Sequence, residues 1–235
     1  MDIKKILAET NLRPDKMQGQ YFLQDDEIIE YEIKLAELER NDVVLEIGAG
    51  IGNVTEKIAK KSKVIAVERD KRFIPLLEKL QNTEIINDDA LRVIKNLSFN
   101  KVISNIPYAI SQKLLLELLK REWQIAVLMV QREFAKKLKN GKLAVLLNEC
   151  AEMKIIGNIA ADVFYPRGVA SSIIVLRQKQ LVDEKFWIFL NSAYRNKNKD
   201  VKNVFPGCDE AIARKKVHML TSDELRSLYQ RVKTV

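Results

Sequence analysis

Apolar residues recur along the first two thirds of the chain in short runs of strand length: Val43 to Ile47, Val64 to Val67, Glu84 to Ile86, Val102 to Ser104 and Ala126 to Val130. Between them lie stretches with helical spacing, Val54 to Lys61, Lys71 to Leu80 and Ser111 to Leu119. Strands that are apolar on both faces and alternate with helices predict a parallel sheet covered on both sides. A helix over Lys142 to Glu152 and two further strands, Met153 to Ile159 and Ser172 to Arg177, complete a seven-stranded arrangement. Upstream, Asp26 to Leu38 carries Ile28, Ile29, Ile33 and Leu35 mostly on one face, and the first 24 residues read as a polar segment with a turn at Met17 to Gln20. From about Leu181 the pattern changes to short charged helices. Asp183 to Tyr194 is apolar at Phe186, Phe189, Leu190 and Ala193, and Thr221 to Glu224 has the spacing of a capping box opening a last helix through Arg231. The fold class is therefore α/β, Rossmann-like and seven-stranded, over residues 1–180, with a small helical domain over 181–235.

At 235 residues and 47% hydrophobic, the chain can bury a full core. Its longest apolar runs fall far short of the roughly 20 residues a membrane span needs, and Met1 to Lys5 lacks the features of a secretory signal. A soluble, cytoplasmic protein with no membrane partner is expected. Cys150 and Cys208 form no CxxC and His218 is the sole histidine, so no disulfide framework and no metal site are expected. Cys150 falls on the apolar spacing of Leu143, Leu146 and Leu147 and reads as a buried structural thiol, His218 as a surface residue. The net charge of +8 and a pI near 9.3 favour a polyanionic partner.

Glu46-Ile47-Gly48-Ala49-Gly50-Ile51-Gly52 follows the first long strand and precedes a helix, where glycines let the backbone approach a ligand closely. Asn53 stands where a dinucleotide fingerprint wants glycine, which turns the reading away from NAD. Glu68 ends the next strand, placed to accept the hydroxyls of a ribose, and Asp88-Asp89 follows the third, where a carboxylate could hold an adenine amine. Glu46, Glu68 and Asp89 at successive strand ends, with Gly48 and Gly50, mark a cofactor site.

Asn105-Ile106-Pro107-Tyr108 follows the fourth strand at the same edge. Pro107 fixes its own φ and holds Ile106 extended, so the backbone carbonyls are set at fixed angles. The Asn105 side-chain oxygen and a neighbouring carbonyl can accept both hydrogens of an amine. An amine on an aromatic ring is a poor nucleophile until its lone pair is drawn out of conjugation, which two acceptors outside the ring plane achieve. Positioning and preorganised dipoles supply most of the effect, so no strong base is needed. Tyr108 offers a face for the target base, with stacking of about 1–3 kcal/mol per base, comparable to the few kcal/mol of extruding an unpaired nucleotide.

Five segments resemble, in order, the ribosomal RNA adenine N6-dimethyltransferases: Gly19 to Leu23, Glu46 to Gly52, Asn105 to Ser111, Gln131 to Ala135, and Phe164 to Ser172. Within that family the chain is most similar to the archaeal small-subunit enzymes. The resemblance implies S-adenosyl-L-methionine (S-adenosylmethionine) as cofactor, held by Gln20, Tyr21, Leu23, Gly48, Glu68, Asp89 and Asn105, and stacking of the target base by Tyr108 and Phe164. It also implies dimethylation of two adjacent adenosines near the 3′ end of small-subunit rRNA in a pre-30S particle, by a monomer. Read without it, Tyr21 to Leu23 is a segment packing on the sheet and Phe164 is ordinary core. The family pattern F-x-P-x-P-x-V-[DN]-S runs here as Phe164-Tyr165-Pro166-Arg167-Gly168-Val169-Ala170-Ser171-Ser172, with glycine for the second proline and alanine for valine.

Two other readings compete. The short connection Lys136 to Lys142 and the isoleucine of the tetrapeptide resemble the Erm-type large-subunit adenine methyltransferases. Gln20, the basic stretch Tyr194 to Lys199 and the segment Lys215 to Thr221 favour the small-subunit type. A ribosome-assembly factor without essential catalysis is the third reading, opposed by the intact tetrapeptide and glycine loop.

Overall fold

A computed structural model describes residues Asp2–Lys233. Its nine strands are β1 (Phe22–Leu23), β2 (Val43–Ile47), β3 (Lys63–Val67), β4 (Thr83–Ile86), β5 (Lys101–Asn105), β6 (Ile125–Gln131), β7 (Ala151–Ile159), β8 (Phe164–Tyr165) and β9 (Ser171–Gln178). Seven of them form one sheet in the order β4-β3-β2-β5-β6-β9-β7. The pairs from β4 through β6 are all parallel, so the carboxyl ends of β2, β3, β4 and β5 lie along one edge, where a doubly wound sheet binds its ligands. β9 returns antiparallel beside β6, paired from Ile125↔Arg177 to Gln131↔Ser171. The expected parallel sheet thus carries one reversed strand.

Burial follows the apolar pattern: Val44, Leu45, Ile103, Val127 and Leu128 are fully covered. The edge strand β7 is only partly buried, in keeping with its mixed composition. The region expected as one helix over 71–80 is a 3-10 turn, Lys71–Phe73, followed by the short helix Ile74–Leu77. Pro75 sits in the first helical turn, where its missing N–H is no loss.

The first 24 residues hold more structure than their polarity suggests. Ile3–Glu9 is a helix capped by Asp2, which accepts from the Lys5 N–H. Its Ile3 and Leu7 pack in a cluster with Phe22, Ile51 and Phe73. Ile3, Ile6 and Leu7 stand at helical spacing, but a run of seven residues is too short to announce a helix by itself.

By backbone contacts the chain divides into two compact units. One contains 1–135 and 153–178, the other 136–152 and 179–235. The sequence reading of a first domain over 1–180 therefore needs correction at Lys136–Glu152. The helix Gly141–Cys150 contacts the helices Glu184–Arg195 and Ser222–Lys233. Periodicity shows that a helix has an apolar face and not which neighbours will cover it. Within the second unit Phe186, Phe189 and Tyr229 pack with ring centroids 5.2–6.0 Å apart. The Arg226 guanidinium lies 4.2 Å over Phe186 and pairs with Glu149 at 3.0 Å and Asp183 at 2.8 Å. Thr221 and Glu224 form the reciprocal capping box, Glu224 N–H donating to Thr221 Oγ1 and Thr221 N–H to Glu224 Oε2.

Candidate functional site

A cavity of about 370 Å³ opens at the carboxyl edge of the sheet, within the range of small-molecule sites. Of the residues read as cofactor ligands, Gln20, Tyr21, Leu23, Glu46, Gly48, Gly50, Glu68, Asp89 and Asn105 all line it, as does Pro107. Tyr108 and Phe164 are not among its lining residues.

The glycine loop is shaped for close approach. Gly48, Gly50 and Gly52 have φ of 75°, 55° and 83°, a region L side chains rarely enter. A Cβ on Gly50 would lie 2.8 Å from the Phe22 ring, and one on Gly48 would face Pro107 at 3.5 Å. Glycine at 50 lets Phe22 press on the loop and glycine at 52 makes room for Leu80, while at Gly48 the positive φ alone calls for glycine. Asn53 supports it from beneath, donating its amide to the Leu23 carbonyl. It is buried at the start of the helix Asn53–Ala59, so the residue that argued against NAD also ties the loop to the N-terminal segment.

The acidic strand ends are held in different ways. Glu68 accepts from Gly50 N–H at 2.9 Å and from Asp70 N–H at 2.7 Å, which fixes its rotamer; burial still raises its pKa above the usual carboxylate range. Glu46 is almost wholly buried and its Oε2 has no hydrogen-bond partner among the described residues. Burial, with the Glu68 carboxylate adding, pushes its pKa up to about 8. Asp89 caps the helix that follows, one oxygen accepting from Leu91 N–H, and remains half-exposed at the cavity wall.

Gln20 is committed within the protein. Its amide donates to Asp70 at 2.8 Å and its oxygen accepts from Asp15 N–H at 2.7 Å. Asp70 also pairs with Arg72, which holds its carboxyl at a pKa of about 2. This network fastens the 15–20 segment over the end of β3. Asp15, Asp70 and Arg72 carry no motif, and nothing in their spacing could have announced them.

Asn105 ends β5, beside Met129 of β6. Ser104 donates to the Ile47 carbonyl at 2.8 Å, joining this strand end to the glycine loop. The Asn105 Oδ1 is buried and has no hydrogen-bond partner among the described residues. Ile106 is buried at 2% exposure and its N–H donates to the Met129 carbonyl, while the Pro107 carbonyl accepts from Ile110 N–H and closes the turn Tyr108–Ile110. Tyr108 stacks loosely on Tyr21, centroids 6.2 Å apart and planes 24° apart.

Phe164 is 4% exposed and packs in the core with Leu23, its β1–β8 partner. The implied base-stacking face is thus covered. The glycine at the pattern's second proline now has a reason: Gly168 N–H donates to the Ala161 carbonyl at 2.9 Å, which proline cannot do, and a Cβ there would lie 3.1 Å from the Phe164 ring. In the other unit, Arg195, Lys197 and Lys199 are exposed. Their loop is pinned to the later basic segment by His218 N–H on the Lys197 carbonyl and Val217 N–H on the Lys199 carbonyl. His218 is on the surface, and Cys150 is buried, its thiol pushed up to about 11 by burial.

Together, the parallel sheet with its reversed strand, the acidic strand ends and the glycine loop define a Rossmann-like methyltransferase. The chain belongs to the ribosomal RNA adenine dimethylase family, whose model matches residues 11–225. It is 38% identical over 234 residues to a probable ribosomal RNA small subunit methyltransferase A of Thermococcus gammatolerans, covering 93% of this chain and 81% of that protein. A protein of the same name from Methanosphaera stadtmanae is 34% identical, covering 94% and 89%. In fold, the chain is similar to a dimethyladenosine transferase from Plasmodium falciparum, with a TM-score of 0.82 at 22% identity over 91% of this chain and 98% of that one. The 23S rRNA methyltransferase ErmE is similar at a TM-score of 0.71 and 23% identity over 90% and 99%. Enzymes of this family take their methyl groups from S-adenosylmethionine, and the cavity's carboxylates and glycine-rich loop fit such a cationic, ribose-bearing group. No helix among the described residues is long and apolar enough to cross a membrane.

Proposed function

We propose that this enzyme uses S-adenosylmethionine to dimethylate N6 of two adjacent adenosines in the 3′-terminal hairpin loop of small-subunit (16S) rRNA. It would act as a cytoplasmic monomer on the pre-30S particle. The observation that carries the reading is the unpartnered Asn105 Oδ1, buried at the end of β5 on the wall of the cavity. A buried acceptor without a donor costs about 1–3 kcal/mol, a cost a substrate amine removes on binding.

The bound cofactor supplies an electrophilic methyl group. Glu68, already oriented by two backbone donors, would accept the ribose hydroxyls, and Asp89 would hold the adenine amine with its remaining oxygen. Gly48 and Gly50 would admit the cofactor to the backbone, and Tyr21 and Leu23 would cover it; Gln20 serves by fastening that cover. Asn105 and a neighbouring carbonyl would draw the target amine out of conjugation, Pro107 would hold the turn, and Tyr108 would carry the base. Phe164 can join the stack only by leaving its packed position, so Tyr108 is the primary platform.

The names of the relatives favour the small subunit over the Erm-type large subunit. Incubation with labelled S-adenosylmethionine and separate immature 30S and 50S particles, followed by mapping of the product, tests the choice. Label on two adjacent adenosines of the small-subunit RNA is expected. Label confined to 50S particles would establish the Erm-type activity, and particle binding without label would leave only an assembly role.

A further inference from the structure

We propose that Ser171 is a positioning residue for the target base, acting through the Tyr108 hydroxyl. Its Oγ lies 3.0 Å from the Val169 carbonyl and 3.1 Å from Tyr108 Oη. A carbonyl can only accept, so the single Ser171 proton goes to Val169. The Tyr108 O–H must then be the donor to Ser171, in a relay from Tyr108 through Ser171 to Val169. The relay ends on rigid structure: Ser171 is 0% exposed and opens β9, in register with Gln131 of β6. The base platform is therefore fixed at both ends, its backbone by the turn after Pro107 and its hydroxyl by a strand of the central sheet.

This inference rests on the reading of Tyr108 as the base platform. A ring freed at its hydroxyl loses its orientation relative to Asn105, which slows transfer without touching the cofactor contacts. Loss of one neutral hydrogen bond with slight misplacement predicts a kcat lowered about five- to tenfold in Ser171→Ala. S-adenosylmethionine affinity and KM for the particle should stay unchanged, and Ser171→Thr should restore kcat. In a Tyr108→Phe background, Ser171→Ala should add nothing, because the hydroxyl it serves is gone.

The decisive measurement is NMR of protein carrying ring-labelled tyrosine, with the Tyr108 signal identified by its loss in Tyr108→Phe. That signal should shift or broaden in Ser171→Ala and return in Ser171→Thr. An unmoved signal overturns the proposal whether or not any ribosomal particle is methylated. Additive kinetic effects of the two substitutions, or an equal fall in cofactor affinity, also overturn it. Wild-type protein inactive on immature 30S particles counts instead against the proposed substrate.

Discussion

Glu32 sits on the covered face of the helix Asp26–Leu35, between Ile29 and Ile33, with 0% exposure and neither carboxyl oxygen partnered among the described residues. Burial, with Glu46 adding, pushes its pKa up to about 8 from 4.5. The folded chain therefore holds this proton between pH 4.5 and 8 while the unfolded chain releases it, and stability falls as pH rises through that window. At 1.36 kcal/mol per pH unit, the loss relative to acid pH is about 3 kcal/mol at pH 7 and about 5 kcal/mol above pH 8. Leucine matches the volume without the polar atoms. Glu32→Leu should raise the unfolding free energy by about 3 kcal/mol at pH 7, or about 6–12 °C in Tm for a chain of this size. Its advantage should shrink towards pH 5, where only the cost of an unpaired neutral carboxyl remains, and grow towards pH 9. Urea and thermal unfolding followed by circular dichroism from pH 5 to 9 measure it. A gain that does not change with pH, or a loss at pH 7, would show that the carboxylate is stabilised where it sits.

Replacing Asn105 by alanine should cut methyl transfer at least 100-fold, on the scale of losing one preorganised polar group at a reacting centre, while RNA retention on filters stays near wild type. Equal transfer rates would remove the amine-activating role. Glu68→Ala deletes a carboxylate held by two backbone donors; cofactor affinity by calorimetry should drop about 10- to 100-fold, and an unchanged value would misplace the ribose contact. Thr221→Ala breaks half of the capping box at the last helix and should cost about 1 kcal/mol in unfolding free energy, with the cavity unaffected in cofactor titrations.

The parts of this protein legible in its sequence are those written in short-range code. The strands of the sheet carry continuous apolar runs, and the glycine loop and tetrapeptide are each contiguous, so their position at strand ends places them on one edge. Position alone does not reveal what closes the site. The pairing of Phe22 with Tyr165 and Leu23 with Phe164 joins residues more than 140 positions apart, through strands of two residues that have no period. The Gln20 to Asp70 bond and the grouping of Gly141–Cys150 with the C-terminal helices are likewise long-range choices. Phe164 shows the limit from the other side: the resemblance implies a base-stacking ring, whereas its own apolar character predicts core, and the packing follows the latter.

Asn105, Glu46 and Glu32 each present a buried oxygen without a partner, and their places in the fold separate function from cost. Asn105 and Glu46 line the cavity, so a ligand can supply what the protein withholds. For Glu46, a cationic ligand would favour the ionised form that burial now disfavours. Glu32 does not line it, and its charge can be relieved only by keeping the proton. On the proposed function, the same unsatisfied atom would be preorganisation at the end of β2 or β5, and it is a stability cost in the helix Asp26–Leu35. This is why removing Glu32 should stabilise the chain without altering transfer, whereas removing Asn105 should abolish transfer.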